Sequence, residues 1–212
     1  METIRVIDAV KIFKEQKIID HLNISFFSGK IYGIVGYNGS GKTVLLKCIC
    51  GFLALDEGEI IIYGKKLKKD MDIIQNAGVI IEEPAFLKDY TGKKNLEFLY
   101  SIRNKEDSEL IDKVLYKVGL DAGSSKKVKH YSLGMKQRLA IAQAIMEDPQ
   151  ILLLDEPMNG LDKNGVAEIR RLLWELKEQN KTIVLVSHNQ EDIRVLCDEI
   201  YEMEEGTLVR RR

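Results

Sequence analysis

The chain has 212 residues, 45% hydrophobic and 31% charged, which is the mix of an ordinary globular protein with one large domain or a domain carrying an insert. A net charge of −1 excludes a duplex-DNA binder that relies on a broad basic surface, so no nucleic-acid partner is expected. No apolar run reaches the roughly 18–20 residues that cross a bilayer, and the opening "METIRVIDAVKIF" alternates like a strand rather than reading as a signal peptide.

In chain order, residues 2–10 and 19–27 read as strands, and "IYGIV" (31–35) as a short buried strand running into a glycine loop. A helix is expected over roughly 41–50, stopping near Gly51. It carries Cys48 and Cys50 on different faces, which suits neither a disulfide nor a zinc site, so these and Cys197 are expected to be core thiols. "GEIIIYG" (58–64) and "AGVII" (77–81) are further strands. The basic runs "KKLKK" (65–69) and "RRR" (210–212) read as solvated surface and a frayed end.

From Pro84 to about residue 148 the pattern turns helical. "TGKKNLEFLYSI" begins at a threonine cap, "DSELIDKVLYKVGL" carries one apolar stripe, and a third helix runs from Ser132 to Met146, stopped by Asp148-Pro149. Then "ILLLD" (151–155) and "TIVLVS" (182–187) are fully apolar strands of the parallel kind, joined by the amphipathic helix "VAEIRRLLWEL". The tail "EIYEMEEGTLVRR" reads as a hairpin. The expected organisation is one α/β core, residues 1–83 and 149–212, with a helical insert over 84–148.

The loop "GYNGSGKT" meets the spacing of a phosphate loop with Gly36, Gly41, Lys42 and Thr43, and it follows a strand and opens a helix. Its glycines, Gly39 among them, let successive N–H groups from Tyr37, Asn38, Ser40 and their neighbours turn inward around phosphates, and Val44 continues the helix. Lys42 supplies charge to the outer phosphates, and Thr43 offers a hydroxyl to Mg2+. In "ILLLDEP", Asp155 leaves the carboxyl end of a buried strand and can reach that metal, while Glu156 can polarise a water. His188, ending "VSH" on the next strand, is placed to donate to the same phosphate; His21 and His130 have no such context. Ser132 caps a helix whose first N–H groups form a second anion cradle, some ninety residues beyond the first.

These elements, in this order and over nearly the whole chain, resemble an ABC transporter ATP-binding subunit: "GYNGSGKT", the signature-like "YSLGMKQRL", "ILLLDEP", "MNGLD" and "VSH". "IDHLNISF", "YSLGMKQRLAIA" and "MNGLD" look most like the bacitracin and lantibiotic-resistance exporters. The resemblance implies a P-loop NTPase core of the ABC ATPase type with an N-terminal antiparallel β subdomain and an inserted helical subdomain. It implies ATP and Mg2+ as ligands, and partnership with a second ABC ATPase subunit, in a homodimer or a heterodimer, and with a separate integral-membrane permease. The protein would then lie at the cytoplasmic face of the membrane. Two cassettes of this family meet head to tail, so Ser132 and Gly134 would hold the γ-phosphate bound by the neighbour. Asp162 would sit at the dimer seam, and Phe13 would stack on adenine.

The chain departs from the family in places. Leu133 and Met135 replace a glycine and a glutamine of the signature, Val44 replaces a second threonine, and Met158 replaces a threonine. Glu82 stands where the family has a glutamine that touches Mg2+ and the attacking water and senses the permease. Thr43, Asp155 and Glu82 are thus the expected metal side. Two other readings are a non-transport ATPase of the same type and an ATP-holding regulatory module. The zinc modules, coiled coils or second cassette of the first do not fit in 212 residues. Intact Lys42, Asp155, Glu156 and His188 argue against the second.

Overall fold

The computed structural model describes residues 1–83 and 85–212, so the expected boundary of the insert at Pro84 lies outside the described residues. Two long strands, β1 (Glu2–Phe13) and β2 (Gln16–Phe27), form a hairpin. With β4 (Glu57–Ile62) and β5 (Lys65–Lys66) they make an antiparallel sheet in the order β2-β1-β4-β5. The alternation that marks these strands puts Ile4, Val6, Ile19, Leu22, Phe26, Ile60 and Ile62 inside.

The second sheet runs β10-β9-β3-β8-β7-β6. Here β3 is Lys30–Val35, β6 Ala77–Ile80, β7 Ile151–Asp155, β8 Thr182–Val186, β9 Glu199–Glu204 and β10 Thr207–Arg210. All neighbours pair in parallel except β10, which closes a hairpin with β9. The apolar runs of β7 and β8 are explained by burial on both faces. Leu152, Leu154, Ile183 and Leu185 join one core, and Ile151, Leu153, Val184 and Val186 join the other. The first core is completed by α2 (Gly92–Tyr100), α3 (Ser108–Lys117), α4 (Leu133–Ile145), α5 (Lys163–Glu178) and α6 (Gln190–Leu196). The second is completed by α1 (Lys42–Cys50) and the antiparallel sheet. Each such side chain contributes about 1.5–3 kcal/mol on burial, whereas an exposed pair such as Lys113–Glu109 is screened by solvent and contributes little. The two cores therefore hold the fold.

The helices begin where their caps place them. Thr91 Oγ1 accepts from Lys94 N at 3.2 Å, Asp107 Oδ1 from Leu110 N at 2.9 Å and Ser132 Oγ from Met135 N at 3.2 Å. Helix α4 lies directly on β6 because Gly78 has no side chain; a Cβ there would run into the carbonyl of Ala144. Among the described residues no helix is long and apolar enough to cross a membrane.

Three features depart from the sequence reading. Lys65 and Lys66 pair with Ile62 and Ile61 as β5, too short a strand for periodicity to show. Helix α6 was not expected; it is a single short segment, capped by Asn189. The terminal arginines are not a frayed end. Arg211 pairs with Glu202 at 2.8 Å and with Glu204 at 2.5 Å, Arg210 pairs with Glu199 at 3.4 Å, and Arg211 N donates to Ile200 O at 2.8 Å. The cysteines are buried and free, as expected, and burial pushes the thiols up to about 11 for Cys48 and about 12 for Cys50 and Cys197.

Candidate active site

The loop from Gly36 to Gly41 joins β3 to α1, and its backbone needs glycine twice for reasons of space. Gly36 has φ 145°, and a Cβ there would lie 2.7 Å from Met203 O. Gly41 has φ 105°, and a Cβ would lie 2.8 Å from Met203 Cε and 2.9 Å from Ile18 O. The loop is thus pressed between β9 and β2. Lys42 is buried inside it, with Nζ donating to Gly36 O and Tyr37 O at 2.9 Å each. Burial pulls the Lys42 ammonium below its usual range, while Asp155 and Glu156 pull it up. The Ser40 hydroxyl is buried without a hydrogen-bond partner, a polar atom aimed into the loop.

Thr43 Oγ1 donates to Asp155 Oδ2 at 2.6 Å. Asp155 ends β7 beside Val186 of β8, so the register of two parallel strands sets its position. Glu156 follows with φ 49°, a left-handed turn that its backbone bonds hold: its N–H donates to Val186 O at 2.9 Å, and its carbonyl accepts from Asn159 N at 3.1 Å and from Gln137 Nε2 at 3.3 Å. Burial raises the Glu156 carboxyl above the usual range, and His188 works against that rise. His188 Nε2 lies 3.3 Å from Glu156 Oε1, close enough for an ion pair, although Oε1 has no aligned hydrogen bond.

A cavity of about 280 Å3 brings together Phe13, Asn38, Gly39, Gly41, Lys42, Thr43, Val44, Asp155, Glu156 and His188. A larger concavity of about 620 Å3 shares His188 with it, but Lys42, Thr43, Asp155 and Glu156 do not line it. Phe13 is 41% exposed at the end of β1, with Lys11 Nζ 5.3 Å from its ring centroid, so it is a ring at the cavity rim and not a core phenylalanine. Tyr37 is 64% exposed on the outside of the loop.

Seven candidates do not line that cavity: Gly36, Tyr37 and Ser40 belong to the loop around it, and Ser132, Gly134, Asp162 and Glu82 lie on other elements. Ser132 and Gly134 open α4, where a Cβ on Gly134 would come 2.9 Å from Gly160 O. The start of α4 therefore packs on the "NGLD" loop. Asp162 caps α5, its Oδ1 accepting from Gly165 N at 2.9 Å. Glu82 is a largely exposed carboxylate whose Oε1 lies 2.5 Å from Lys47 Nζ of α1. Sequence reasoning missed Ile18 and Met203, whose apolar side chains carry no signal, and Gln137, which sits inside the quoted "YSLGMKQRL".

A phosphate loop that opens a helix from a parallel sheet, with carboxylates leaving the adjacent strand, defines a P-loop ATPase. Residues 19–159 match the ABC transporter family, and the chain belongs to that family. It is similar to the ABC transporter ATP-binding protein YybJ of Bacillus subtilis, at 43% identity over 97% of this chain and 94% of the relative. It is also similar to the bacitracin transport ATP-binding protein BcrA of Bacillus licheniformis, at 41% identity over 97% of this chain and 68% of that protein. An ATP-binding cassette of an ABC transporter solved in its ADP conformation matches it with a TM-score of 0.82 at 27% identity, over 99% of this chain and 90% of the other. The chain is an ATP-binding and ATP-hydrolysing cassette, as its motifs imply.

Proposed function

We propose that two such cassettes pair head to tail, with each ATP held between the phosphate loop of one and the start of α4 of the other. The observation that carries this reading is the place of Ser132 and Gly134. They form a capped helix start, with Leu133 54% exposed between them, outside the cavity lined by the chain's own phosphate loop. The first N–H groups of α4 and the partial positive charge of its dipole suit an anion that the chain does not itself hold. Asp162, on the loop that packs against α4, then lies at the seam.

The site fits a nucleoside triphosphate. The Ser40 hydroxyl is unpartnered, and Lys42 occupies the loop by bonding to two carbonyls it can exchange for phosphate oxygens. Phe13 at the rim offers a face for the base. Thr43 and Asp155 are hard oxygen donors of the kind Mg2+ takes, and their own hydrogen bond at 2.6 Å holds them side by side. When bound, the metal supplies charge that offsets the phosphate oxygens. Glu82, now paired with Lys47, would be a third residue to hold the ion. Lys42 and His188 donate to the γ-phosphate, and Glu156 takes the proton of the water that attacks it as the bond to the bridging oxygen of ADP breaks. The cassette would power export of a peptide antibiotic, drug or similar amphipathic cargo through a separate permease, which holds it at the cytoplasmic face of the membrane. Similarity to BcrA supports that cargo class.

The test is Glu156→Gln. It should abolish turnover, keep ATP binding and trap an ATP-dependent dimer on size-exclusion chromatography. A variant that stays monomeric in saturating ATP, or that still turns over, overturns the reading.

A further inference from the structure

His188 itself is about half exposed and follows the last residues of β8, so something must hold its backbone in place. Two side chains brace it locally: Ser187 Oγ accepts from Asn189 N at 3.1 Å, and Asn189 Oδ1 accepts from Glu191 N at 2.9 Å and Asp192 N at 3.3 Å. The next support is not local. Arg170 of α5 reaches across to α6 and donates Nε at 2.9 Å and Nη2 at 2.5 Å to Asp192 Oδ1. Its Nη1 donates to Glu191 Oε1 at 3.2 Å. The Asp192 side chain is only 3% exposed and that of Arg170 19%, while Glu191 lies at the surface.

A buried pair of this kind is a poor source of stability, because well-packed apolar side chains do as well or better. What a guanidinium fork supplies is direction, since it fixes both partners in one orientation. The direction here runs from α5, whose first residue follows the Asp162 cap, to the turn that carries His188. We propose that Arg170 and Asp192 are positioning residues for ATP hydrolysis: their clamp sets where His188 stands and ties that position to the helix that starts at the dimer seam. The proposal rests on the reading of His188 as a donor to the γ-phosphate.

The experiment is steady-state ATPase kinetics on the full chain with thermal melts alongside. The apolar replacement Arg170→Met/Asp192→Leu should melt near the wild type. It should lose on the order of ten- to a hundredfold in kcat, with KM for ATP held within about twofold. Arg170→Lys keeps the charge and loses the fork; its kcat should fall several-fold, and it decides the matter if the apolar pair does not fold. Placed in a His188→Ala background, either change should add less than about twofold, because both act through the same imidazole. Wild-type kcat in the clamp variants, or losses that multiply with His188→Ala, overturns the clamp. If His188→Ala alone turns over at the wild-type rate, the donor role of His188 falls first and takes the clamp with it.

Discussion

Thr43 and Asp155 stand 112 residues apart in the chain, yet the hydroxyl of one lies 2.6 Å from the carboxylate of the other. That single hydrogen bond joins the first turn of α1 to the end of β7, and it brings the phosphate loop and the carboxylate pair into one site. The neighbouring Glu156 has a different environment, and the difference can be measured.

Burial raises the Glu156 carboxyl above its ordinary value. The folded chain therefore keeps this proton to a higher pH than the unfolded chain does. The stability linked to it is fully present below the unfolded-state pKa and is lost as pH rises through the folded-state value. Glu156→Gln removes that loss. Its melting temperature should exceed the wild type at pH 8, and the gap should narrow as the pH falls through the folded-state value towards the unfolded one at 4.5. Differential scanning calorimetry across that range decides it; a gap that is constant or widens in acid contradicts the assignment.

The proposed head-to-tail pairing would make complementation possible. A Lys42→Ala subunit has a damaged phosphate loop and an intact Ser132; a Ser132→Arg subunit has the reverse. Each homodimer has two broken sites, and a mixed dimer regains one intact site. Mixing should restore up to about half of wild-type turnover per mixed dimer, since one of two sites is whole. Confirmed mixed dimers without activity would count against the arrangement.

Glu82 pairs with Lys47, and in the proposed site it would turn from that lysine to the metal. Glu82→Gln loses the charge that favours Mg2+, so the metal concentration for half-maximal ATPase should rise roughly tenfold, about 1–2 kcal/mol, with the rate at saturating metal retained. Lys47→Gln releases Glu82 from its partner at 2.5 Å and should move the same midpoint down. Superimposable Mg2+ titrations for all three proteins would remove Glu82 from the metal side.

Gly78→Ala tests how α4 is seated. The added Cβ meets the backbone carbonyl of Ala144, which cannot swing aside as a side chain can. We expect a loss of about 3 kcal/mol, or roughly 6–12 °C in melting temperature for a chain of this length. An unchanged melt would mean that α4 sits further from β6 than the structure places it.

The sequence made the site legible where residue type and chemistry coincide. The spacing of Gly36, Gly41, Lys42 and Thr43 admits few readings, and the carboxylates of Asp155 and Glu156 stand out at the end of an apolar strand. The caps Thr91 and Ser132 were readable because a short polar side chain before an apolar stripe has a local purpose, and Asp107 before α3 follows the same rule although the sequence reading does not single it out. What stayed hidden was set by tertiary packing. Nothing in "MEEG" announces that Met203 closes the floor of the phosphate loop. Charged residues such as Arg170 and Lys47 look like solvated helix faces until a partner from another element is seen. Helix α6 could have been found, since Asn189 with Glu191 and Asp192 in the first turn is a helix-start pattern.

The division of the core by the sheet gives the protein a built-in pair of chemical reporters. Cys48 and Cys50 lie in the core on the α1 side, and Cys197 lies in the core on the other side. All three are buried thiols whose pKa burial has raised, so none is a ready nucleophile while its layer is shut. Alkylation under native conditions therefore times the opening of each layer separately. Peptide mass mapping of the modified thiols, with and without ATP, reads which half of the molecule breathes and which half nucleotide locks.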